Sequence, residues 1–187
     1  MRRAIPIVAI AVLVSACAVN SQKTAIRDAR LGLAISGVAV EAADQAAVEV
    51  FEEYDASNTE MYCRGEMVAL VLEEAVSALT LGADAVRLWE TSLAVYLTRK
   101  EAGQDTETDW ERVLSSEAEW VEMATQVIAV LTVVIRELEH AGIEIPAPIS
   151  YATDWLQGMT GRPLVEYEVD WSDLTDGVCG EYIGGGS

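Results

Sequence analysis

The chain has 187 residues, 51% of them hydrophobic, and its 31 Asp and Glu outweigh 12 Lys and Arg to give a net charge of −19 at pH 7. This is enough apolar material for one buried core and suits a single domain. The charge excludes binding of nucleic acid or of an anionic lipid surface through the overall field; it favours cationic partners such as divalent ions, polyamines or basic proteins, and it keeps the surface solvated.

Residues 1–17 place Arg2 and Arg3 before a ten-residue apolar run, Ile5 to Val14, followed by Ser15, Ala16 and Cys17. A basic start, a short apolar run and small residues form the layout of a secretory signal. The run is too short to span a bilayer, which takes about 20 apolar residues, and Asn20, Gln22 and Lys23 end it. Val14-Ser15-Ala16-Cys17 resembles the lipobox of bacterial lipoproteins: a branched aliphatic residue, two small residues and the Cys at the processing site. The resemblance implies cleavage before Cys17, diacylation of its thiol and often a third acyl chain on the new amino group. Ala18, where an Asp would signal retention, implies outer-membrane sorting in a Gram-negative host.

Cleavage there removes two of the 12 basic residues and none of the 31 acids, so the net charge moves from −19 to −21. Each buried acyl methylene contributes ~0.8 kcal/mol, and two chains suffice for stable anchoring. Residues 1–16 are thus expected to be a signal peptide, and residues 17–22 the lipidated Cys and a short tether. Extended, Ala18 to Gln22 reaches ~18 Å at most, which holds the domain near the membrane. Strong negative charge is then expected to tilt it away from anionic head groups.

Three long helical stretches follow. The first, about Ser21 to Tyr54, is rich in Ala, with Gly32 and Gly37 and the large apolar residues Ile26, Leu33, Val40 and Phe51. Its small residues permit close approach of neighbours. Ser57-x-x-Glu60 reads as a capping box for the second stretch, about Thr59 to Ala102, whose apolar face comprises Val68, Leu72, Ala75, Leu79, Val86, Leu93 and Leu97. Gly82 is a point of bending or local weakness, and Gly103 begins the next turn. Thr108-x-x-Glu111 reads as the cap of the third stretch, Asp109 to His140. Its seam reads Trp110, Leu114, Glu117, Val121, Ala124, Ile128, Leu131, Ile135 and Leu138, and Gly142 stops it.

Long helices joined by short turns run antiparallel to bury their seams. The expected fold is therefore all-α: an up-down-up bundle of three long antiparallel helices over residues 23–158, with a short fourth helix, Pro148 to Gln157, stopped at Gly158. Residues 159–187 are expected as an extended tail. Within it Leu164 to Trp171 alternates like a strand, with no second strand to pair with, and lies across the bundle end. With Cys17 assigned to lipid, Cys63 and Cys179 remain as an even pair in an oxidising compartment. Cys63 begins the second helix at the end of the bundle where the third helix finishes and the tail departs, so a Cys63–Cys179 disulfide is expected.

Chemistry-bearing motifs are sparse. Glu137-x-x-His140 has the spacing of di-metal bundle proteins, but His140 is the only histidine and a His in the last turn complements the helix dipole. Asp105, Glu107, Asp109 and Glu111, and Asp170, Asp173 and Asp176, lack the order of a calcium loop and read as acidic turns and caps. No nucleophile elbow or phosphate loop is present, and no dinucleotide fingerprint. The expectation is a non-enzymatic, lipid-anchored binding or structural module of the bacterial envelope, without a metal or cofactor, its membrane contact made through lipid on Cys17. The alternatives are an acidic inhibitor or adaptor of a cationic envelope protein, a phage-related surface-exclusion lipoprotein, and, ranked last, a divalent-metal protein.

Overall fold

The computed structural model describes residues 7–52, 54, 58–161 and 179, with side chains from residue 18 onward. Among the described residues it is all-helical, without strands: α1 spans Ile7–Phe51, α2 Thr59–Glu101, α3 Glu107–His140 and α4 Ala147–Thr160. The strand-like run at 164–171 lies outside the described residues.

The helix ends follow from local chemistry, with differences from the expected caps. The α2 cap is Asn58, whose side-chain oxygen accepts from the Met61 N–H at 3.4 Å. At the start of α3 the Thr106 side chain makes no cap bond; the Asp105 carboxylate instead accepts from the Glu107 N–H at 3.2 Å. Thr108 therefore lies inside the first turn. Gly103 and Gly142 take positive φ (66° and 79°) just past α2 and α3. There Gln104 N bonds Arg99 O and Ile143 N bonds Leu138 O, closing the last carbonyls of each helix. Pro148 falls in the first turn of α4, where its missing N–H costs nothing. Gly158 does not stop α4: the helix continues to Gly161, which takes the left-handed conformation (φ 62°).

α1 is longer than expected. It passes without a break through Cys17 and through residues 18–22, the expected tether. The physical reason is Gln22, which is buried and engaged with α2 and α3, so the chain is already committed to the bundle at that point.

Small residues bring the helices together. Ala29, Ala39 and Ala43 of α1 are fully buried. A Cβ at Gly32 would stand 3.4–3.6 Å from Met159, Leu156 and Trp120, so this glycine marks the approach of α4 and α3 to α1. Gly82 does the same for α2, with Leu33 and Trp120 against it, and α2 runs on through it. At Gly65 the fit is tighter, because a Cβ would lie 2.7 Å from Cβ of Phe51. Phe51 Cβ cannot swing aside without moving α1. Gly65→Ala is therefore expected to lower stability by about 1–3 kcal/mol, read by urea unfolding, despite the better helix propensity of Ala. A stabilised variant would show that α1 and α2 do not close here.

The core is built from Trp89, Leu131, Leu138, Ile149 and Leu156 and the valines between them. Ile26, Val40 and Phe51 of α1 are buried as expected, as are Val68, Leu72, Ala75, Val86 and Leu93 of α2; Leu33, Leu79 and Leu97 are partly buried. In α3 the seam differs. Ala124, Ile128, Leu131 and Leu138 are buried, but Leu114 is 45% exposed, and Trp110, Val121 and Ile135 are only partly buried. The buried line runs Asp109, Val113, Ser116, Trp120, Ala124, Val127, Leu131, Val134, Leu138. Its polar members, Asp109 and Ser116, made the neighbouring line through Trp110 and Leu114 look more apolar than the one that packs.

Candidate functional site

Three parts of the molecule carry polar or reactive groups in defined settings. The first is the N-terminal half of α1. Cys17 lies within this helix. Five residues on, Gln22 Oε1 accepts from Trp89 Nε1 at 2.6 Å, and Gln22 Nε2 donates to Glu117 Oε2 at 2.8 Å. Trp89 is 1% exposed, so its indole N–H would be costly to leave unpaired. In the sequence Gln22 stands out as a stop to the apolar run and as the end of the expected tether; the signal for its packing role is one uncharged amide on the apolar face.

The second is the end of the bundle around Cys63 and Cys179. Their Sγ atoms are 2.10 Å apart, with Cα atoms at 5.4 Å, and both residues are buried. Beside them the buried Glu137 carboxylate accepts from Arg64 and, at 3.0 Å, from Arg136 Nε. His140 points outward, its Nε2 3.5 Å from Glu60, which also pairs with Arg64. Glu137 and His140 thus face different partners. Removing one side of a buried pair leaves the other charge uncompensated, which makes Glu137 a structural group here.

The third is Asp109, buried at the start of α3. Arg99 Nη1 donates to Oδ1 at 3.3 Å and stands 3.1 Å from Oδ2, which accepts no hydrogen bond in good geometry. Arg112 adds a contact at 3.5 Å. With Asp109 held by two arginines, the acidic run at 105–111 does not converge on one point. Among the described residues no three His, Cys, Asp or Glu side chains are grouped to hold a metal ion.

Two surface depressions are relevant to binding. One, between α1 and α2, is lined by Phe51, Tyr62 and Leu72 and carries Asp44, Glu52 and Glu66. The other, between α1 and α4, is lined by Ala34, Ile35, Val38, Ala147, Pro148 and Tyr151, with no charged group. The latter went unseen in the sequence, because residues 34–38 and 147–151 come together only when α4 folds back onto α1.

By length and composition alone, Ala18–Phe51 and Glu107–His140 could each cross a membrane. Both also supply buried side chains to the core, and a core helix meets the same test of length and composition. Comparison finds no matching family model, no matching curated protein and no matching solved structure.

Proposed function

We propose that the chain is a lipid-anchored, non-enzymatic helical module of the bacterial cell envelope, held at the outer membrane by acyl chains on Cys17. The observation that carries this is the run Arg2-Arg3, ten apolar residues, then Val14-Ser15-Ala16-Cys17, with Ala18 following. An up-down-up order of the three long helices belongs to the same proposal. It is supported by contacts in which rising numbers on one helix meet falling numbers on the next: Gln22 with Trp89 and Phe51 with Gly65, then Arg64 with Glu137 and Arg99 with Asp109. Labelled palmitate fed to the expressing cells is expected to enter the wild-type chain and not the Cys17→Ser variant. Equal labelling of both, or of neither, contradicts the proposal.

A second reading, an acidic adaptor or inhibitor of a cationic envelope protein, is favoured by the acid-lined depression at Asp44, Glu52 and Glu66. Capture of a basic protein from envelope extract that weakens steeply as salt is raised supports it. Salt-insensitive capture, or capture unchanged in an Asp44→Asn, Glu52→Gln, Glu66→Gln variant, counts against it.

A further inference from the structure

Charge is not spread evenly along this acidic chain. From Ala18 to Val40 there are three basic residues, Lys23, Arg27 and Arg30, against one acid, Asp28, and every other acid of the chain lies at Glu41 or beyond. The basic residues are all exposed. Arg27 and Arg30 pair with Asp28 and Glu90, yet their side chains remain 77% and 59% accessible. Exposed pairs of this kind are worth little, so either guanidinium can turn to a phosphate at small cost.

The same helix face becomes apolar further along. Leu31 and Val38 are 47% and 56% exposed, and Tyr151 of α4, 57% exposed, extends the apolar surface sideways. Positions 17, 20, 24, 27, 31, 34 and 38 recur by three and four, so Arg27, Leu31 and Val38 lie on one stripe of α1 with position 17. At 1.5 Å per residue this stripe is ~30 Å long. Because α1 is helical through residues 18–22 and Gln22 is pinned by Trp89 and Glu117, no loose tether separates the anchor position from the stripe.

We propose that this basic-then-apolar face of α1, with Tyr151 beside it, docks onto the surface of an anionic lipid bilayer, so that the bundle lies against the membrane along its N-terminal half. The inference rests on the anchored reading of Cys17 and deepens it. The lipid draws the stripe down, Lys23, Arg27 and Arg30 meet head-group phosphates, and Leu31, Val38 and Tyr151 enter the boundary between head groups and acyl chains. Past Val38 the helix turns acidic at Glu41, Asp44 and Glu49, and that end is held off the surface. The overall charge of the chain would suggest repulsion along its whole length. On α1 itself the exposed basic residues gather in the N-terminal half, and contact is confined to that face, with Glu90 and Glu117 of the neighbouring helices on its flanks.

The test uses the processed chain, extracted from membranes and reconstituted into phosphatidylglycerol-containing vesicles with brominated acyl chains. Tryptophan is introduced as Leu31→Trp on the stripe, or as Val76→Trp on the exposed side of α2, and quenching is read as the increment over the wild-type chain. An apolar face buried ~5–10 Å into the boundary places residue 31 near the bromines, so its quenching should exceed that at residue 76 by at least about threefold. Adding Lys23→Glu and Arg27→Glu should abolish the difference while the acyl chains on Cys17, checked by mass, stay in place. Equal, weak quenching at both positions with Cys17 acylated overturns the docking and leaves the anchor standing. A chain without acyl mass on Cys17 overturns both.

Discussion

Replacing Cys63 with Ser is expected to lower the free energy of unfolding by about 4–5 kcal/mol. The two cysteines are 116 residues apart, so the bond joins the end of the chain to the start of α2 across a very long loop. In the chain-entropy account, opening such a loop frees the unfolded chain far more than the folded one. The loss is set against a total stability that for an ordinary domain is about 5–15 kcal/mol. Cys179→Ser should give the same loss, reduction of the wild-type chain should reproduce it, and the double variant should add nothing. Urea unfolding with and without dithiothreitol reads all four. A loss below about 1 kcal/mol would mean that the unfolded chain keeps its ends together without the bond.

Trp89→Ala is expected to cost about 3–5 kcal/mol, and Trp89→Phe about 1–3 kcal/mol. The two losses separate packing from polarity. Trp89 is almost wholly buried within the core, so truncation to Ala leaves a cavity there as well as removing the bond to Gln22 of α1. Phe retains most of the volume and loses the indole N–H, which leaves Gln22 Oε1 without its donor. In a double-mutant cycle, Gln22→Leu should recover part of the Phe loss, because both ends of the buried bond are then apolar. Additive losses would show that Gln22 and Trp89 act independently, and that residue 22 is not the point where α1 is locked to the bundle.

The helical class, four helices and the boundaries of α2 and α3 to within a few residues could be read from the sequence. Seams recurring every three to four residues and glycines at 103 and 142 are strong local signals. What escaped was set by tertiary contacts. The α3 register was misplaced because Asp109 and Ser116 are buried polar residues: Asp109 is paired with Arg99 from another helix, and the Ser116 hydroxyl donates to Arg112 O. The tether became helix because Gln22 meets two residues, Trp89 and Glu117, distant in sequence. Gly158 promised a stop, yet a glycine inside a packed helix costs only about 1 kcal/mol, less than α4 gains by burying Ile149, Ala152 and Leu156. The candidate surfaces were legible only in part. Cys17 stands out by its neighbours in sequence, whereas the apolar groove of α1 and α4 exists only once distant segments meet.

In the proposed function Cys17 is the first residue of the mature protein and carries lipid. The intact mass of the chain extracted from membranes, with fragmentation of its N-terminal peptide, tests this most directly. The expected result is loss of residues 1–16 and acyl mass confined to Cys17, with Cys63 and Cys179 joined to each other. A chain that retains Met1, begins at any other residue, or presents Cys17 as a free thiol would contradict it.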